Sequence, residues 1–201
     1  MRDASNIVEI GDLHPDYMGF IFYRGSKRFV GENFRIPGKL SQRIKRVGVF
    51  VNETPERMLQ IAGENKLDYL QLHGNESEEQ CGLLRKNGHG VIKAFNVDSN
   101  FDFGETSKFV GIADFFLFDA RGISPGGNGV TFDWSRLQSY DQKVPFFLAG
   151  GISGGDIQQL SALKGMNLHA IDVNSGVESA PASKDKTRVI ELIKKMREYG
   201  V

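Results

Sequence analysis

Phe146-Phe147-Leu148-Ala149-Gly150-Gly151-Ile152-Ser153 is the stretch that decides the fold. It is a short apolar run, then two glycines, then a serine suited to capping a helix. A run that is apolar at consecutive positions fits a parallel strand covered on both faces. Outward from it, similar runs recur at roughly 20–30 residue intervals. They lie at 17–23, 46–51, 69–72, 91–95, 115–118, 146–148 and 170–173. Helical patterns separate them, at about 5–13, 55–66, 77–86, 133–139, 153–163 and 183–199. Thr54 before Pro55 is a capping signal, and Asn87-Gly88 after the 77–86 pattern is a stop. Residues 96–104 are polar and read as a loop. The order is helix, then strand–helix seven times: seven strands and eight helices in one domain, 1–201.

Two architectures use that order. An open doubly wound sheet accommodates seven strands without strain. A (β/α)₈ barrel lacking its first strand would leave edges on the first strand present and on the last. The glycine-containing segments after the last three strands favour the barrel.

Bulk properties narrow the function. The chain has 25 basic and 25 acidic side chains among 201 residues. That balance gives no electrostatic reason to expect nucleic acid or an anionic membrane as partner. No apolar run approaches the roughly 20 residues of a membrane span. Met1–Asn6 is polar and lacks a signal-peptide core, so a cytoplasmic location is expected. The single cysteine, Cys81, excludes an internal disulfide framework and sits in a helical pattern, where a small buried apolar role fits. His14, His89 and His169 show no metal-ligand spacing.

In such folds ligands bind at the C-terminal ends of the strands. Asp119 ends the 115–118 run. A carboxyl held partly desolvated there can serve as general acid or base, or simply cap the next turn. Gly126-Gly127-Asn128-Gly129 follows, either a loop that lets backbone approach a ligand or a plain flexible one. Gly150-Gly151 and Ser175-Gly176 follow the last two strands, where barrels commonly bind phosphate. Ser175 would add a hydroxyl donor. Asp172 either orients the ligand or bonds neighbouring backbone. His73 ends the third run and can face the pocket, though a lone histidine is more often a structural hydrogen-bonding residue. Arg28 follows the first run and offers a bidentate fork for a carboxylate. Taken alone, it reads more readily as a solvated surface arginine.

Together, several segments resemble phosphoribosylanthranilate isomerase, a family of tryptophan biosynthesis. They are Asp16-Tyr17-Met18-Gly19-Phe20-Ile21-Phe22, Arg28-Phe29-Val30, Val47 to Asn52, Leu70 to Glu76 and Ile92-Lys93-Ala94-Phe95. Asp119, Gly126 to Gly129, Thr131 to Trp134, Leu148 to Ile152 and Asp172 to Glu178 continue the series. The resemblance implies a (β/α)₈ barrel and an Amadori rearrangement of N-(5′-phosphoribosyl)anthranilate to the 1-deoxyribulose 5-phosphate derivative. It implies no cofactor and no metal, a small phosphorylated substrate, and a monomer or homodimer. Asp119 matches the general acid, Arg28 the residue near the anthranilate carboxylate, and the two glycine turns the phosphate site. The loop carrying Gly127 and Gly129 matches one that closes near substrate. The family's general base is a cysteine in a Lys-any-Cys-Gly segment ending the first strand, just before a Met-Arg-Asp like Met1-Arg2-Asp3. The expectation is a longer, active native product, with activity impaired in a chain that starts at Met1. Asn174 and Val130 stand where Ser and Lys are common. The alternatives are a non-catalytic phosphate-ligand-binding barrel, a related phosphoribosyl isomerase, or an indole-glycerol-phosphate synthase.

Overall fold

The computed structural model describes residues 1–120 and 134–199. Its sheet has seven parallel strands in sequential order, β1 to β7. They are β1 (Tyr17–Ile21), β2 (Lys45–Phe50), β3 (Tyr69–Leu72), β4 (Gly90–Val97), β5 (Phe115–Ala120), β6 (Phe146–Ala149) and β7 (Leu168–Ile171). Sequential parallel pairing with crossovers is barrel topology, and β1 and β7 are its two edges. The four α-helices are α1 (Ala4–Gly11), α2 (Pro55–Asn65), α3 (Glu78–Lys86) and α4 (Lys186–Tyr199).

Local chemistry sets the helix ends. The Asp3 carboxylate accepts from Asn6 N–H at the start of α1. Thr54 caps α2, with Pro55 in the first turn. Ser77 and Gln80 form a reciprocal capping box on α3, leaving neither orphan donor unmet.

Side chains sort by strand parity into two layers. Phe116, Phe118, Phe146, Leu70 and Leu72 point outward under the helices and are fully buried. Val47, Ile92, Ala94, Leu117, Phe147 and Ala149 form a separate inner cluster. At the N-terminal ends of the strands, Tyr17, Tyr69, Phe115, Phe147 and His169 plug the interior with ring contacts 4.3–5.9 Å apart. The Tyr17 hydroxyl lies 2.7 Å from His169 Nε2, linking the two edge strands through side chains. This aromatic floor leaves the opposite, C-terminal end as the mouth.

The edge of β1 is partly covered. Phe29 makes a parallel bridge to Ile21, and Val30 N–H donates to Ile21 C=O. Asn6 and Lys184 exchange a peptide-like pair of hydrogen bonds, tying α1 to a two-stranded antiparallel ribbon of β8 (Glu178–Ala180) and β9 (Ser183–Lys184).

Several expected helices are shorter or absent. No helix follows β1: Gly25, Gly31, Pro37 and Gly38 break the 22–44 segment into turns. The pattern at 153–163 forms turns and then a 3₁₀ helix, Gln159–Leu163. There the Asp156 carboxylate accepts from Ser153 N–H and Oγ, and the paired Gly154-Gly155 weakens helix propensity in the first turn. The closing helix begins at Lys186, not 183, because Ser183 and Lys184 pair with β8. Of the pattern at 133–139, Trp134–Ser139 is a 3₁₀ helix and Asp133 lies outside the described residues. The expected loop at 96–104 is shorter, since Asn96 and Val97 pair with Asp119 and Ala120, and a 3₁₀ helix starts at Phe103.

Candidate active site

Asp119 shares its strand face with Phe115 and Leu117, so parity aims it into the barrel at the mouth end. It is 7 % exposed. The tip of β3 brings His73 beside it, with Nε2 3.5 Å from Asp119 Oδ2. The other ring nitrogen, Nδ1, lies 3.2 Å from the Gln71 amide nitrogen. An amide NH₂ only donates, so Nδ1 accepts and Nε2 is the edge turned toward Asp119.

The β3–α3 turn holding His73 is fixed from behind the sheet. Lys93 and Glu76 form a salt bridge at 3.0 Å with side chains almost wholly buried. The Lys93 ammonium also donates to Leu72 O and Gly74 O, filling its three donors. Glu76 accepts from Asn52 N–H and Gly74 N–H. Both carboxylate oxygens therefore have donors, which is the condition for such a pair to persist.

Asp172 follows β7 and completes the acidic rim. Burial pushes its carboxyl above the usual aspartate range; Lys184 and His73 oppose that, and neighbouring Asp119 adds to it. The Lys184 amine is held below its ordinary value, chiefly by burial, against the pull of Glu178 and Asp172.

Both glycine turns lie at this mouth. Gly150 and Gly151 have φ of 111° and 70°, the left-handed region. A Cβ on Gly176 would sit 2.2 Å from Ile152 O, so the turn after β7 packs directly on the turn after β6. Ser175, exposed, opens the short helical turn Ser175–Val177 between them. The structure thus brings Gly150, Gly151, Ser175 and Gly176 together. Gly127 and Gly129 lie outside the described residues.

Arg28 is placed differently from the free fork expected. Its Nε and Nη2 donate to both oxygens of Glu178 at 2.5–3.0 Å. Glu178 also accepts from Lys184 Nζ and Ala182 N–H. The guanidinium edge carrying Nη1 is the one not engaged by Glu178. Sequence reasoning assigns Glu178 and Lys184 no role. Glu178 closes a family-like segment but carries no chemical signal of its own, and Lys184 falls inside a helical pattern. Cys81 is fully buried in α3 behind the sheet, and burial pushes its thiol up to about 11. Among the described residues, no cluster of His, Cys, Asp and Glu suits a metal ion, and no helix is long and apolar enough to cross a membrane.

Strand order and an ionisable mouth over a plugged floor define an α/β-barrel enzyme. A family model described as N-(5′-phosphoribosyl)anthranilate (PRA) isomerase matches residues 1–195. An N-(5′-phosphoribosyl)anthranilate isomerase of Parabacteroides distasonis is 43% identical, covering 98% of this chain and 90% of its own length. One from Phocaeicola vulgatus is 41% identical over 98% and 95%. Among solved structures, phosphoribosyl anthranilate isomerase from Thermotoga maritima superposes with a TM-score of 0.83 at 31% identity, covering 98% of this chain and 96% of that one. An isomerase solved in complex with reduced 1-(o-carboxyphenylamino)-1-deoxyribulose 5-phosphate gives 0.81 at 30% identity, over 98% and 95%. The chain belongs to the N-(5′-phosphoribosyl)anthranilate isomerase family.

Proposed function

We propose that this mouth binds N-(5′-phosphoribosyl)anthranilate and serves its Amadori rearrangement to the 1-deoxyribulose 5-phosphate derivative. The carrying observation is Asp119: a buried carboxyl at a strand's C-terminal end, beside a histidine and one strand away from two abutting glycine turns. In its protonated form Asp119 gives a proton to the furanose ring oxygen, and the C1–O bond opens to a Schiff base. A base then removes the C2 proton, and the enolamine tautomerises to the ketose. The reaction moves protons without net oxidation, so it asks for no redox cofactor. The turns at Gly150-Gly151 and Ser175-Gly176 take the phosphate through backbone N–H groups. Arg28 faces the anthranilate carboxylate, and His73 and Asp172 line the ribose path.

Cys81 is unsuited to the C2 step, because it is buried behind the sheet as a neutral thiol. The family resemblance assigns that step to a cysteine in a Lys-any-Cys-Gly segment. The test follows fluorescence loss of phosphoribosylanthranilate with this chain and with a version carrying such a strand upstream of Met1. Turnover only with the added cysteine, abolished by Asp119→Asn, supports the assignment. Equal turnover with and without it rejects the cysteine as base. Turnover unaffected by Asp119→Asn rejects the acid. A cytoplasmic enzyme acting as monomer or homodimer is consistent with this chemistry; one solved structure is of monomers generated from the dimeric Thermotoga maritima enzyme.

A further inference from the structure

We infer that Glu178 and Lys184 are positioning residues that aim Arg28 and set its net charge, making this site selective for ligands that carry a carboxylate. The inference rests on the isomerase reading and deepens it.

Three observations carry it. First, Glu178 is spent on support. Its side chain is 5 % exposed against 25 % for Arg28, so the carboxylate lies behind the guanidinium. Two donors of Arg28 meet both Glu178 oxygens, a bidentate pairing that leaves the planar group little rotational freedom. The edge bearing Nη1 remains for a ligand. A guanidinium so held gives up less entropy on binding than a free one.

Second, the charges do not cancel. A carboxylate paired one-to-one with Arg28 would leave a neutral group with little attraction for an anion. Here Glu178 is shared between Arg28 and Lys184, whose ammonium lies 3.3 Å from Oε1. Two cations face one carboxylate. Asp172 is the nearby group able to erase the excess, and burial favours its uncharged form. Lys184 itself is anchored by Asn174 O and Asn174 Oδ1, so it stays behind the pair and does not reach for the ligand.

Third, the arrangement joins distant parts of the chain. Arg28 comes from the segment after β1 and Glu178 from β8, 150 residues apart in sequence. Glu178 is held within its own hairpin by Ala182 N–H and Lys184 Nζ, so it orients Arg28 from a fixed base.

The experiment measures binding and needs no turnover. Two ligands are compared by calorimetry: reduced 1-(o-carboxyphenylamino)-1-deoxyribulose 5-phosphate and the same molecule without the ring carboxylate. The native chain is expected to prefer the carboxylated ligand. In Glu178→Asp, which keeps the charge but shortens the support, and in Lys184→Met, which leaves Arg28 and Glu178 as a neutral pair, that preference falls about tenfold. Affinity for the carboxylate-free ligand changes less than about twofold in both. Equal weakening of both ligands in either folded variant would show a merely structural role and overturn the inference, as would an unchanged preference. A native chain that binds neither ligand rejects the isomerase reading itself, and this inference with it. Circular dichroism confirms which variants are folded, and either one alone decides the question.

Discussion

Asp119, Phe118 and Tyr140 show how side chains divide between the barrel interior and the packed outer layer. Asp119 points into the barrel and Phe118 beneath the outer layer, where it meets Tyr140 and Phe146 at ring distances of 5.0 and 5.3 Å. Phe118→Ala is expected to cost about 3–5 kcal/mol by opening a cavity in this aromatic cluster, read from urea denaturation midpoints. Tyr140 is buried. Its hydroxyl donates to Val144 O at 2.7 Å and accepts from Val144 N–H at 3.0 Å. Tyr140→Phe would leave both backbone groups without that partner, at about 1–3 kcal/mol in the same assay. Cys81 supplies a chemical check at this scale. A buried thiol pushed up to about 11 is neutral at pH 8, so iodoacetamide should label it only after denaturant unfolds the chain.

Turns, more than strands, carry the information at the level of elements. The β3–α3 turn depends on the Lys93–Glu76 pair. Lys93→Met leaves Glu76 as a buried charge without its counter-ion, and about 3–5 kcal/mol of stability should disappear. Adding Glu76→Gln should restore much of that loss, a pattern that equal additive losses in chemical denaturation would contradict. Gly176 sets the other turn. Its Cβ would meet a backbone oxygen of the β6 turn, which has no flexible end to move aside. Gly176→Ala is therefore expected to weaken binding of inorganic phosphate or a sugar phosphate at least about tenfold, measured by calorimetry.

The seven strands were legible in the sequence because each is a short apolar run between breakers. Asp119 and the paired glycine turns were legible because their position at strand ends follows from that register. The β8–β9 ribbon was not legible. It is tied by a contact between distant residues, Lys184 with Asn6, which local propensity does not encode. Arg28 was found as a residue but not as a pair, since its partner lies 150 positions away.

Across the whole molecule, the ion pairs at the mouth link function to acid stability. Burial alone would raise the Glu178 carboxyl, but Arg28 and Lys184 outweigh it and hold it below its ordinary 4.5. A carboxyl lowered by folding adds stability above its unfolded value and loses it as pH falls through the folded one. Urea midpoints should therefore decline as pH drops below about 4.5, and Glu178→Gln should flatten that part of the profile. A decline of the same steepness in the variant would place the acid sensitivity elsewhere.

The link between Asn6 and Lys184 bears on the order in which the chain assembles. Every strand of the sheet pairs with its neighbour in sequence, so the sheet can grow one strand at a time. The Arg28–Glu178 and Asn6–Lys184 contacts close loops of 150 and 178 residues, and such closures come late. A nascent chain emerging from the ribosome can build most of its sheet while Glu178 and Lys184, the partners that hold Arg28, are still absent. The mouth is complete only when residue 184 has docked on the first helix, and any ligand that binds only this closed state would act as a final latch on folding.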